Sequence, residues 1–260
     1  MELGLKGKVA LVTGASRGIG RAIALSFAAE GCDLLLTGRD QAALDETAAA
    51  IKEKGRKAVV AAGDLRQPGT EKPLVDAARR EFGGLDILVN NAGATRRGSF
   101  FDLTDADWAD GYALKFFGHM RLVRLAWPLL KERKGSFVSI GGTSGRKPEA
   151  EFTIGSSVNA AVAAFTKCLA DIGKTDGVQV NCVHPSLVET ERQWKRIRAE
   201  VAETGETEAG VRARFVKKMG FIRYGKVEDV ADLITFLVSA RSTWMHGATI
   251  DLDGGELGVL

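Results

Sequence analysis

Residues 9–20 read Val-Ala-Leu-Val-Thr-Gly-Ala-Ser-Arg-Gly-Ile-Gly, an apolar β-branched run that breaks into three spaced glycines and then into a helical segment. A strand feeding a glycine-rich turn at a helix N-terminus aims several backbone N–H groups at one point, and that point attracts phosphate. Gly14 permits the turn, Gly18 lets the backbone approach a pyrophosphate, and Gly20 lets the helix pack tightly on the strand. Ser16, Arg17 and Ile19 fill the places between them. Strand, glycine trio and helix together commit this end of the chain to a strand–helix–strand unit.

The rest of the chain keeps the same rhythm. Strands are expected over 8–13, 33–37, 58–61, 86–89, 136–140, 178–183 and 248–252, with helices over 20–30, 42–54, 70–82, 105–133, 152–172 and 228–239. The strands lack polar alternation, as strands covered on both faces should. The reading is a doubly wound α/β fold of three layers, a parallel sheet between helices, with residues 1–260 as one domain. A charged excursion follows Pro185, and a segment of about 186–218 is expected to form a helical lid over the site. Lys plus Arg number 36 against 33 Asp plus Glu, so nothing electrostatic favours nucleic acid or a membrane surface. Cys32, Cys168 and Cys182 are odd in number and form no CxxC pair, as expected of reduced thiols without a metal site. The run Val9–Val12 is too short for a signal core or a membrane span. A cytoplasmic protein acting on a small molecule is expected.

The three-residue gap between Gly14 and Gly18 resembles the TGxxxGxG signature of the short-chain dehydrogenase/reductase family. Asp64-Leu65, Asn90-Asn91-Ala92-Gly93 and Asp253-Gly254-Gly255 match further family motifs in the right order. The resemblance covers about Lys8 to Gly255 and implies a Rossmann fold, a nicotinamide cofactor and oxidoreduction. It places Asp64 and Leu65 at the adenine, and Asn91, Ala92 and Gly93 along the ribose and nicotinamide. Asn181 to Thr190 resembles the family's N-x-V-x-P-G-x-x-x-T stretch, which puts Val188 and Thr190 at the carboxamide and Pro185 among the cofactor-binding residues; Ser186 replaces its glycine. The second strand ends Leu36-Thr37-Gly38-Arg39 with no carboxylate for ribose hydroxyls. Arg39, with Arg17, suits a 2′-phosphate, so NADP(H) is favoured over NAD(H).

The family reduces carbonyls with Tyr, Lys, Ser and Asn side chains, because hydride addition creates an alkoxide that needs a proton near neutral pH. The family pattern puts Gly142 at the serine, Gly155 at the tyrosine, Asn159 at the lysine and Lys115 at the asparagine position. No Tyr-xxx-Lys occurs anywhere: four beyond Tyr112 is Phe116, and four beyond Tyr224 is Glu228. The leading expectation is an oxidoreductase with a relocated acid, Lys115, near Tyr112, with Thr143 and Ser144 supplying hydroxyls and Asn159 bonding the ribose. Lys115 as a mere filler of vacated space stands beside it. A non-redox lyase, dehydratase or hydrolase using Glu151 or His184 and a non-catalytic dinucleotide binder are the alternatives.

The lid's basic residues, Arg192, Lys195, Arg196, Arg198, Arg212, Arg214, Lys217 and Lys218, suit an anionic substrate or a solvated mixed-charge face. Trp194 and Phe215 either close over a ligand or pack the lid. His119 and His246 read as structural. A homo-oligomer, tetramer or dimer, is expected through helices 105–133 and 152–172 and the tail Leu257–Leu260, as the resemblance implies.

Overall fold

The computed structural model describes residues 2–258. Seven parallel strands form one sheet: β1 (Val9–Thr13), β2 (Asp33–Thr37), β3 (Ala58–Val60), β4 (Ile87–Asn90), β5 (Ser136–Ile140), β6 (Gln179–Pro185) and β7 (Thr249–Leu252). Their order is β3-β2-β1-β4-β5-β6-β7, so the winding reverses between β1 and β4. The crevice at the carboxyl ends of those two strands is where a doubly wound sheet binds its ligand.

Two helix layers cover the sheet. On one side α1 (Gly18–Ala29), α2 (Gln41–Glu53) and α9 (Val227–Leu237) bury Ile23, Phe27, Leu44, Ile51 and Ile234 against Val12, Leu34 and Leu36. On the other, α3 (Glu71–Phe82), α5 (His119–Arg133) and α6 (Thr153–Asp176) bury Leu74, Leu122 and Leu130 against Leu11, Leu35 and Leu88. Successive side chains of a strand point to opposite faces. Leu34-Leu35-Leu36 is apolar throughout because each face of β2 meets a helix layer.

One element differs from the sequence reading, and two others bear on it. The expected helix 105–133 is divided: α4 (Asp105–Tyr112) runs into a π-helical turn, Ala113–Gly118, before α5. A π-turn keeps the apolar pattern nearly intact, so periodicity does not reveal it. The segment after Pro185 forms α7 (Glu191–Thr204) and α8 (Glu208–Met219), each capped by a threonine, Thr190 and Thr207. Within it Phe215 is buried with Ile197, Val211, Phe221 and Tyr224, and Trp194 packs at the edge of that group. These two rings hold the helical pair together, which selects packing over ligand closure. The expected tail contact extends to Val259 and Leu260, which lie outside the described residues.

Candidate active site at the carboxyl edge of the sheet

The glycine turn is built by close approach. Gly14 and Gly18 have φ of +66° and +55°, values that favour glycine. A Cβ on Gly20 would lie 2.2 Å from the Gly14 carbonyl oxygen. The Thr13 hydroxyl accepts from the backbone N–H of both Asn91 and Ala92 at 2.9 Å, and Asn91 Nδ2 donates to the Thr13 carbonyl at 2.9 Å. The Asn91 side chain thus ties β4 to β1 beneath the turn, where the resemblance implied a place along the ribose. Ala92 offers its carbonyl to His119 Nε2 at 2.7 Å. Burial pushes that imidazole down to about 4, so it stays neutral at physiological pH, in the core as expected.

Ser16 sits beside the end of β2, since a Cβ on Gly38 would be 3.6 Å from its Oγ. Arg17 and Arg39 are exposed at this mouth. The neighbouring carboxylate, Asp40, is already used: it accepts from Ala43 N as the N-cap of α2. Ile19 lies in the first turn of α1 and is partly buried. Asp64 accepts from the Arg66 backbone N–H at 3.0 Å, and the buried Leu65 gives its carbonyl to Arg121. Pro185 ends β6, Val188 bridges to Gly225, and Thr190 caps α7 with its methyl 3.3 Å from where a Gly18 Cβ would stand. Thr190 is therefore against the phosphate turn.

Lys115, Asn159 and Ser144 are joined in one chain of hydrogen bonds. Lys115 Nζ donates to Asn159 Oδ1 at 2.5 Å and to the Gly141 carbonyl at 2.9 Å. Asn159 Nδ2 donates to Ser144 Oγ at 2.8 Å. Gly142 closes on the same group, for a Cβ there would lie 2.8 Å from Asn159 Nδ2. Thr143 goes elsewhere: its hydroxyl donates to Glu256 Oε2 at 3.2 Å, an atom that also accepts from Ser186. Tyr112 does not join Lys115 but packs with Phe116 and Phe117. At Gly155 the space beside the α-carbon is filled, because a Cβ would meet the Phe152 ring at 2.1 Å.

Burial, and secondarily the nearby Arg192 guanidinium, pushes the Lys115 ammonium down to about 8. No carboxylate pairs with it among the described residues. His184 Nδ1 lies 2.8 Å from the Gly142 N–H and 2.5 Å from its carbonyl oxygen. That imidazole, lowered by burial, buttresses the glycine pair. Glu151 is exposed, in a short 3-10 turn over Ala150–Phe152 where a loop was expected, and His246 bonds the Ala170 carbonyl. Two side chains, Phe152 and Glu256, and one contact of a side chain already named, Arg192, escaped the sequence reading. Phe152 stands one helical turn before Gly155, which was a usable signal; Glu256 and the reach of Arg192 onto Gly93 are long-range and left none.

Among the described residues no cluster of His, Cys, Asp and Glu could hold a metal ion, and no helix is long and apolar enough to cross a membrane. A recess of about 410 Å³ at the opposite edge is lined by Lys8, Asp86, Ser136 and Gln179, at the starts of the strands. Ligands of such sheets bind at the other end.

Comparison with known proteins agrees with this geometry. The family model described as short chain dehydrogenase matches residues 8–201. The 2,3-dihydro-2,3-dihydroxybenzoate dehydrogenase of Bacillus subtilis is 30% identical over 259 residues, covering 98% of each chain. L-Sorbose reductase from Gluconobacter frateurii, crystallised with NADPH and L-sorbose, superposes with a TM-score of 0.97 at 32% identity, covering 100% of both chains. A short chain dehydrogenase from Burkholderia cenocepacia in complex with NADP gives a TM-score of 0.86 at 34% identity, covering 97% of this chain and 98% of that one. This chain belongs to the short-chain dehydrogenase family.

Proposed function

We propose that the protein is an NADP(H)-dependent oxidoreductase of small carbonyl compounds and alcohols in which all four customary catalytic positions are substituted and Lys115 is the proton donor. The observation that carries this reading is the hydrogen-bonded chain Lys115–Asn159–Ser144, built where Gly142 and Gly155 withdraw the usual side chains.

The residues present fit the dinucleotide. Gly14 and Gly18, with positive φ, and the close approach of Gly20 to the Gly14 carbonyl fold the turn tightly onto the N-terminus of α1, and backbone N–H groups there suit a diphosphate. Arg17 and Arg39 flank Ser16 with Asp40 turned away into its cap. That favours a 2′-phosphate, as do the NADPH and NADP held by the two structural neighbours. Gly14, Gly18 and Ile19 would carry the diphosphate side, Asp64 and Leu65 the adenine, and Asn91, Ala92, Gly93, Pro185, Val188 and Thr190 the nicotinamide half.

Bound there, the cofactor supplies a hydride to a carbonyl carbon. Lys115 gives a proton to the carbonyl oxygen as charge gathers on it, so the C–H and O–H bonds form together and the C=O π bond breaks. Asn159 and the Gly141 carbonyl orient the ammonium, Ser144 fixes the Asn159 amide, and Phe152 covers the vacated tyrosine space. The pair α7–α8 acts as the lid over this pocket. The reading extends to a homo-oligomer, supported by exposed Phe117, Leu125 and Ile172 on the helical layer that the family uses for assembly.

Calorimetric titration with NADPH, NADP and NADH, followed by NADPH consumption across a carbonyl panel, tests it. Tight NADPH binding and turnover that Lys115→Ala reduces are expected. Absence of dinucleotide binding overturns the redox reading, and unchanged turnover in Lys115→Ala removes the assigned acid.

A further inference from the structure

The arginines of the lid fall into two groups. Arg198 pairs with Glu191 and Glu208, Arg212 with Glu189, and Arg214 with Glu200 and Glu206. These neutralise one another across the helical pair. Arg192 makes no ion pair among the described residues. It leaves the first turn of α7, crosses the cleft, and donates from Nη2 to the Gly93 carbonyl at 2.5 Å. Its Nε and Nη1 have no partner among the described residues.

Lys115 reaches the same residue from within. A Cβ on Gly93 would stand 3.0 Å from Lys115 Cδ, so the two cations converge on one backbone unit. Arg17 precedes Gly18, which abuts Thr190 at the start of α7; partial burial and then the Arg17 charge lower Arg192, and Arg192 adds to the burial that lowers Lys115. Three like charges line one cleft, and no ion pair connects any of them to a carboxylate among the described residues. Such an arrangement is relieved by an anion placed between them.

We propose that Arg192 is the substrate-binding cation of this pocket and that the substrate is a small oxo acid or the matching hydroxy acid. Its carboxylate lies on the free edge of Arg192 while its carbonyl oxygen faces Lys115. A guanidinium with two free N–H directions matches a carboxylate in both geometry and charge. This deepens the oxidoreductase reading above and rests on it. Hydride adds to the carbonyl carbon, the proton comes from Lys115, and the carboxylate is unchanged.

The test begins with NADPH titration of the wild type and of Arg192→Gln. Rates of NADPH consumption are then compared for straight-chain 2-oxo and 3-oxo acids and for their methyl esters. At least one acid is expected to exceed its ester in kcat/KM by roughly tenfold, the worth of one charge-assisted contact. Arg192→Gln should abolish that preference through KM while leaving NADPH affinity unchanged, and Arg192→Lys should restore part of it. Equal rates for every acid and ester, or a preference that survives Arg192→Gln, overturn the proposal. So does a fall in NADPH affinity as large as the loss in kcat/KM, which assigns Arg192 to the cofactor diphosphate instead. Failure of the wild type to bind NADPH is seen before any acid is added and overturns the underlying reading.

Discussion

Replacing Lys115 with methionine keeps an unbranched chain of similar length and removes the charge. In the folded protein this ammonium titrates near about 8 in place of 10.5. That gap is worth roughly 3 kcal/mol, at about 1.4 kcal/mol for each tenfold. Below about 8 both folded and unfolded chains hold the proton, and the folded state carries the whole penalty. Between about 8 and 10.5 the unfolded chain still holds it while the folded chain has released it, so wild-type stability rises with pH. Above 10.5 the amine is neutral in both states and the penalty is gone. Methionine also strands Asn159 Oδ1 and the Gly141 carbonyl, which costs about 1–3 kcal/mol each at every pH. Between neutral pH and pH 10.5, the stability difference between wild type and Lys115→Met should therefore move by roughly 3 kcal/mol in favour of the wild type, whatever the fixed offset. Urea unfolding of the unliganded proteins, followed by far-ultraviolet circular dichroism at both pH values, measures it. Other groups that titrate in this range cancel in the difference. An unchanged difference refutes a buried, depressed ammonium at this position. In the same variant, carbonyl reduction should fall by roughly 10²–10⁴.

If the proposed correspondence of positions holds, Gly142→Ser, Gly155→Tyr and Asn159→Lys together should still not yield a reductase of ordinary type, because a Cβ at 155 would meet the Phe152 ring at 2.1 Å and the ring must first move. Adding Phe152→Ala should release activity, and full activity in the triple variant would contradict this packing. Arg39→Ala should weaken NADPH binding by roughly tenfold and leave NADH binding unaltered, read by calorimetry. Burial pushes the Cys32 and Cys182 thiols up to about 12, while Cys168 is exposed. Brief iodoacetamide treatment of the native protein at pH 8 should give a single adduct, at Cys168, by mass spectrometry.

The fold was legible because its signals are local. Leu34-Leu35-Leu36 declares a strand covered on both faces, and the glycine turn declares the helix that follows it. The π-turn at Ala113–Gly118 was not, since one residue more per turn hardly disturbs an apolar pattern. The site divided in the same way. Lys115, Asn159 and Ser144 were named by laying the chain on the family pattern and meet in space, because β5, α6 and the π-turn are rigid elements in fixed order. Thr143 was drawn off by Glu256, 113 residues away, which no local pattern foretells. The bond from the Asn91 amide to Thr13 across the switch between β1 and β4 is likewise long-range, and no local pattern announces it. The lid's mixed charges looked like one solvated face. Only tertiary structure separates Arg192, which crosses to Gly93, from Arg198, Arg212 and Arg214, which pair within the helical hairpin.

Glu256 clasps the loops after β5 and β6 through Thr143 and Ser186, yet it belongs to neither loop and to no helix or strand. The wall it forms is a separate part. Exchanging residues 253–258, or drawing a library from them, would loosen or re-aim the loops after β5 and β6 while leaving the glycine turn and Arg39 alone. Two loops of this scaffold can thus be repositioned from outside, by editing one short segment in place of the core that carries them.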